Sequence, residues 1–439
     1  MAIRNTIVDL KSLRGFLVKH ESATKEAVHK AADDVASQEA DISQVQLVAS
    51  WNAAMGKLDD LDDDNNHFSL EDPLVSRLQT HFAEMIAADP AAAATVNQLP
   101  GNVLEVKFDN LDPKWILDGI GIGLRKLFHV KATDWVMPTN NPEVIPDSYR
   151  IAMFSDWGSG LYGSPKISNS IVADPKGFQM ILHLGDTYYA GSKSEVEERL
   201  IGSTWPLMPA HVCVSRSLNG NHEMYSGGEP YFNALKNFFH QSASCFAVQN
   251  SKWLLIALDS AYVDATVEDE ETGQITWLKG LLAQAGNRKI ILFSHHQPFS
   301  QLDNKKNSKK LQEPLKDILT SGRIRAWYFG HEHRCAIYDP HPDWGLKGRC
   351  IGHGGFPAFR DSFQVETPAG VDFHWQRLSP RPKDRVPAAL VLDGPNEFME
   401  GEEGDYSPHG YVTLDLNGDD CLETYYLPGG KEILAAQKL

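Results

Sequence analysis

Five short apolar runs between Arg150 and Phe329 each stop at a group of Asp, Asn or His beside a glycine or a turn. No other feature limits the fold as strongly. Arg150 to Phe154 leads into Ser155-Asp156-Trp157-Gly158, and Phe178 to Leu184 into Gly185-Asp186-Thr187-Tyr188-Tyr189. Val212 to Leu218 precedes Gly220-Asn221-His222-Glu223. Lys289 to Phe293 precedes Ser294-His295-His296-Gln297-Pro298, and Ile324 to Phe329 precedes Gly330-His331-Glu332-His333. A further run spans Trp253 to Leu258, and helical patterns such as Ile275 to Ala285 and Leu311 to Leu319 lie between several of them. Strands alternating with helices predict an α/β layered fold with buried strands, whose function collects at the carboxyl ends of the strands. Asp, Asn and His are hard-to-borderline ligands for divalent or trivalent cations, and the glycines let backbone and ligand crowd together. Two carboxylates and three or four imidazoles converging on one edge are electrostatically costly without cations between them. A lone Gly-His-Xaa-His says little. All five groups in order, each after a strand, predict a dinuclear metal site.

The set resembles the calcineurin-like metallophosphoesterase superfamily over roughly residues 149–430. Most of that superfamily begins with Asp-Xaa-His, whereas here the first group is Asp156-Trp157-Gly158, and Tyr189 stands three residues after Asp186. The paired departure resembles the purple acid phosphatase variant, in which glycine vacates the histidine's place and a tyrosine phenolate fills it. The resemblance implies a layered β-sandwich flanked by helices and built of βαβ units. It implies one metal on Asp156, Tyr189 and His333, a second on Asn221, His295 and His331, and Asp186 bridging both; the other reading of Tyr189 is a plain core aromatic beside a divalent-only pair. The phenolate and carboxylates suit Fe³⁺, while Asn and two imidazoles suit Zn²⁺, Mn²⁺ or Fe²⁺. His222 then sits over the pocket to hold the phosphate or protonate the leaving alkoxide. The implied reaction is in-line hydrolysis of a small phosphorylated substrate by a metal-bound hydroxide, without a covalent enzyme intermediate.

The fourth group can be aligned in two ways, making either His295 or His296 the ligand. His295 directly ends the strand Ile290 to Ser294 and is preferred, which leaves His296 to touch substrate or a ligand. His353, in Gly352-His353-Gly354-Gly355, is a candidate substrate contact or a structural residue. Tyr188 and Trp157 read as packing or pocket wall, and His183 as a core histidine. Glu223 reads as a support for its neighbours, and Arg334 as a phosphate contact or an ion pair.

Residues 1–145 have a different texture and read as a mostly helical accessory region whose sequence names no chemistry. Residues 21–56 predict one long helix or two shorter ones, with a capping-type start at Ser22. Leu74, Leu78, Phe82, Met85 and Ile86 recur at helical spacing within a predicted helix over 73–97. The block Asp59 to Asp64 lacks the ordered spacing of a calcium loop and reads as a solvated loop. Pro138, Pro142 and Pro146 make a linker, so the catalytic domain is expected over 146–439. Residues 361–409, rich in Pro and charge, are expected to be a long insertion or lid. Asn417-Gly418-Asp419-Asp420 predicts a hairpin between Tyr411 to Leu416 and Leu422 to Leu427.

Charge narrows the substrate. With 41 Lys and Arg against 58 Asp and Glu, the formal net charge is -17, which disfavours long nucleic acid without closing off nucleotides or phospholipid headgroups. Two metal ions and a phosphomonoesterase activity are expected, with a phosphodiesterase as the alternative and a non-catalytic metal-binding interaction protein behind both. The five cysteines are scattered and without a CxxC pair, so reduced buried thiols are expected. No apolar run reaches the roughly 18–20 residues of a membrane span, and the first residues lack a secretory layout, so the cytoplasm is the expected location.

Overall fold

The computed structural model describes residues 3–38, 43–59, 71–99, 103–127, 130, 132–139, 141–202, 205–208, 213–301, 306–360 and 372–439. The N-terminal region contains helices α1 (Leu10–Lys19), α2 (Glu21–Ala36), α3 (Gln44–Asp59), α4 (Pro73–Ala88), α5 (Pro90–Ala93) and α6 (Pro113–Leu127). Strands β1 (Thr6–Val8), β2 (Asn97–Leu99) and β3 (Val103–Val106) form a small sheet in the order β1-β3-β2. The stretch 21–56 thus holds two helices, and Ser22 caps neither. Helix α1 runs into α2 across His20, and the side-chain cap is Asp9, whose Oδ1 accepts from Ser12 N at 2.7 Å. Helix α4 is capped by Asp72 with Pro73 in its first turn, and it buries Leu74, Leu78, Phe82 and Ile86. It ends at Ala88 rather than 97, because Pro90 cannot continue its hydrogen bonds. Asp60 to Asp64 lie outside the described residues.

Two larger sheets follow. One has nine strands: β4 (Glu143–Val144), β8 (Phe246–Gln249), β9 (Trp253–Ala257), β10 (Lys289–Ser294), β11 (Ile324–Phe329), β12 (Cys335–Pro340), β13 (Lys347–Ile351), β14 (His374–Leu378) and β15 (Ala389–Asp393). The other has six: β5 (Ser148–Phe154), β6 (Met180–His183), β7 (Val214–Ser217), β16 (Tyr411–Asn417), β17 (Asp420–Tyr426) and β18 (Glu432–Lys438). Alternation sorts the side chains between layers. On β5, Ile151 and Met153 enter the core between the sheets, while Ala152 and Phe154 pack outward with Ile167 and Ile171 of helix α7 (Ser164–Ala173). On β10, Ile291 and Phe293 enter the inter-sheet core. Ile290 and Leu292 face outward and join a cluster with Leu278 and Leu315 from the helices over Gln274–Gln284 and Lys306–Thr320. The result is a helix-sheet-sheet-helix sandwich, held by apolar layers on both faces of each sheet.

The expected insertion over 361–409 is only partly a loop. Residues 361–371 lie outside the described residues, but β14 and β15 extend the nine-stranded sheet, with β15 antiparallel to β12. The predicted hairpin is present as β16 and β17, with Gly418 at φ 58°. All five cysteines are buried and unbridged. No helix among the described residues is long and apolar enough to cross a membrane.

Candidate metal centre

Strands β5, β6 and β7 run parallel and adjacent in one sheet, and β10 and β11 run parallel and adjacent in the other. Their carboxyl ends therefore bring the five polar groups to one edge of the sandwich. The backbone turns sharply there: Asp156, Asp186, His331 and His333 have φ of 54°, 74°, 71° and 50°. Left-handed conformations cost non-glycine residues about 1–3 kcal/mol each and gather where function over-determines the geometry. Two glycines are required by close approach. A Cβ on Gly220 would stand 2.1 Å from Asp186 Oδ1, and one on Gly330 would stand 2.5 Å from Asp156 Oδ2.

Four ligand-type atoms from four different segments meet at one point. His295 Nε2 lies 3.1 Å from Asp186 Oδ2, 3.0 Å from Asn221 Oδ1 and 3.2 Å from His331 Nδ1. Asn221 Oδ1 is 3.1 Å from His331 Nδ1, and its amide is oriented by donating from Nδ2 to Tyr225 Oη at 2.9 Å. The same Asp186 Oδ2 also accepts from the Tyr188 hydroxyl at 3.1 Å, and that hydroxyl contacts His333 Nε2, which lies 3.4 Å from Asp156 Oδ1. Asp186 therefore stands between two sets of donors. Glu223 fixes its loop by accepting from the backbone N–H of Asp186, Thr187 and Gly220 at 3.1, 2.7 and 2.9 Å.

Tyr189 is not brought to this cluster; Tyr188 is. The Tyr189 hydroxyl accepts from Val8 N at 2.8 Å, its ring lies under the Arg199 guanidinium, and burial pushes its pKa up to about 12. The cause is local. Glu195 takes the amides of Tyr189 and Ala190, and Arg199 donates to Tyr188 O at 2.8 Å, so the chain turns the second phenol toward the N-terminal region. The Tyr188 ring is buried against His222 and Phe356, at centroid distances of 3.8 and 4.0 Å.

His295, not His296, is the imidazole meeting Asp186 and Asn221. His296 is buried beside it, 4.6 Å ring to ring from His331, with Nδ1 on Ser260 Oγ at 3.0 Å. His222 is buried, donates its backbone N–H to Asp186 Oδ1 at 3.1 Å and sets Nδ1 against Tyr189 O. His353 does not join the cluster: its ring faces Gly410 and His409, and neither ring nitrogen has a hydrogen-bond partner among the described residues. Arg334 turns away as well, to Ser407 Oγ and Phe359 O. Ser260 escaped the sequence reading although it follows Asp259 at the end of β9, the one apolar run whose terminal residues were not weighed.

The electrostatics suit cations. Burial lifts the Asp156 carboxyl well above the usual range, and the neighbouring Asp186 adds to this. Burial pushes Asp186 upward too, but His295, His222 and His331 outweigh it and hold that carboxyl well below the usual range. Burial would lower His295, yet Asp186 overrides it and raises the imidazole to about 9. A buried carboxylate that recruits a charged imidazole is one that a metal ion would satisfy more fully. Asp156 Oδ1 is buried and receives no hydrogen bond among the described residues, while it faces His333 Nε2, as a ligand pair would. The donor set therefore fits two cations.

Residues 149–335 match the family of calcineurin-like phosphoesterases. This segment is a calcineurin-like phosphoesterase domain. That family is one of metal-dependent hydrolases of phosphate esters. No curated protein matches the chain significantly. Among solved structures, a purple acid phosphatase, PPD1, from yellow lupin (Lupinus luteus) seeds is 16% identical, with 67% of this chain covered and a TM-score of 0.46. The chain spans about half of that protein, 53% of its length. GAP50 of Plasmodium is 11% identical, covering 66% of this chain and 88% of its own, with a TM-score of 0.47. PhoD is 10% identical, covering 68% and 73%, with a TM-score of 0.43. At TM-scores below 0.5 these likenesses carry no functional weight.

Proposed function

We propose that the chain is a dinuclear metal-dependent phosphatase of small phosphate monoesters. The meeting of Asp186, Asn221, His295 and His331 within 3.0–3.2 Å, with Tyr188 on the same Asp186 oxygen and His333 joining it to Asp156, carries this reading. Asn221, His295 and His331 would hold one cation, and Asp156, Tyr188 and His333 the other, with Asp186 shared. A phenol with carboxylates suits trivalent iron, and Asn with two imidazoles suits Zn²⁺, Mn²⁺ or Fe²⁺. When bound, the pair would supply an acidified water and neutralise phosphoryl oxygens.

The chain's own residues do the rest. Glu223 and the His222 N–H hold Asp186 in place. Tyr225 aims the Asn221 oxygen. His222 keeps Nδ1–H on a backbone carbonyl, so its doubly protonated form has an Nε2 proton to hold a phosphoryl oxygen or to give to the leaving alkoxide. His296, pinned by Ser260, flanks the same space. A phenol from Tyr188 on Asp186 and His333, with Phe356 rather than a histidine packed over Gly158, supports the phosphatase side of the family. Phosphodiester hydrolysis on the same ligands is the alternative reading. Hydrolysis of p-nitrophenyl phosphate and bis-p-nitrophenyl phosphate by metal-loaded protein separates the two. The proposal expects the monoester to turn over at least tenfold faster; a preference for the diester overturns it.

A further inference from the structure

Glu71 belongs to the N-terminal region, yet its Oε1 lies 3.4 Å from His331 Nε2. The opposite ring nitrogen, His331 Nδ1, is the one that meets Asn221 Oδ1 and His295 Nε2. An imidazole that ligates through Nδ1 must carry its proton on Nε2, and a carboxylate accepting that proton fixes both tautomer and ring orientation while raising the basicity of Nδ1. Glu71 is held where it can do so. The next residue, Asp72, caps α4 by accepting from Leu74 N and Val75 N at 2.9 and 3.1 Å, and it pairs with Lys57 at 2.9 Å. Helix α4 is tied to the catalytic loop through Thr80 Oγ1 on Glu195 at 2.9 Å and through Ser194 Oγ on Glu84.

We infer that Glu71 is a positioning residue for the metal centre: its carboxylate accepts the Nε2 proton of His331 and presents Nδ1 to the cation held with Asn221 and His295. The inference rests on the metal-site reading above and gives the N-terminal region a place in the site. Glu71 is 66% exposed, so its replacement removes little packing. Carboxylate partners of ligating histidines are worth about 10–100-fold in metal affinity, and solvent screening places this one at the lower end.

The test is Co²⁺ titration of the full chain, read by visible d–d absorption, alongside thermal melting. In wild-type protein two binding steps are expected, and Asn221→Ala marks the one that uses His331. Glu71→Ala is expected to weaken that step about tenfold and leave the other step and the melting temperature unchanged. Glu71→Gln is expected to recover part of the loss, because the amide oxygen still accepts the proton. A Glu71→Ala isotherm superimposable on wild type overturns the inference, as does equal weakening of both steps with a lowered melting temperature. Absence of saturable Co²⁺ binding in wild type would instead remove the metal-site reading, and the inference with it.

Discussion

Which of two adjacent phenols reaches the cluster is decided by side chains several residues away. Tyr188 and Tyr189 share one loop, and Glu195 and Arg199 take its amides and a carbonyl so that Tyr188 faces Asp186 and His333. With ferric iron bound, a phenolate-to-iron absorption should therefore belong to Tyr188. Its Phe variant is expected to lose the visible band, whereas Tyr189→Phe keeps it; the reverse pattern would mean that the second phenol turns inward when iron binds. The other cluster members were legible in the sequence because each is fixed by a strand end: Asp156, Asp186, Asn221, His295, His331 and His333 all follow apolar runs closely. The tyrosine was not, since spacing names a candidate but says nothing of the Glu195 and Arg199 bonds that orient it. Of its two open readings, substrate contact or structural residue, His353 matches the structural one by its placement. It also follows a strand, β13, but its ring turns toward Gly410, far along the chain.

At the scale of elements, Glu195 and Arg199 form a fully buried pair that joins the phenol-bearing loop to the N-terminal region. Arg199 also donates to the carbonyls of Ile3 and Thr6, at 3.1 and 2.6 Å, and Glu195 accepts from Thr80. Removing one partner leaves the other charged and buried, which costs about 3–5 kcal/mol. Glu195→Ala should lower unfolding free energy in urea by that order, and a loss below about 1 kcal/mol would contradict the pairing. The strands of the sandwich were readable as unbroken apolar runs, but helix α6 was not. Its Gly119, Gly121 and Gly123 depress helix propensity, yet they permit close packing: a Cβ at Gly119 would meet Phe82 at 2.9 Å, and one at Gly123 would meet His81 at 2.8 Å. Strands β14 and β15 were hidden by the prolines and charges around them, which occupy the connection between the two strands.

Across the whole molecule, buried neutral histidines set an acid limit. Burial lowers His81 and His353 to about 4 and His409 to about 3, below the ordinary value near 6.5. Because the folded pKa values lie below the unfolded one, the unfolded chain binds protons first. Stability is then complete above pH 6.5 and lost as pH falls toward the folded values, by about 1 kcal/mol per histidine at pH 5.5. The urea midpoint should drop between pH 7.5 and 5.5, and His409→Gln should flatten that slope; a midpoint that holds steady or rises would contradict it.

The central claim is that two cations share Asp186. Its most direct test is the metal content of purified wild-type, Asp186→Ala and Asn221→Ala proteins after loading and desalting, measured by elemental analysis. The predicted result is about two metal ions per wild-type chain, the loss of both in Asp186→Ala and the weakening of one in Asn221→Ala. Two ions retained in Asp186→Ala would contradict the account.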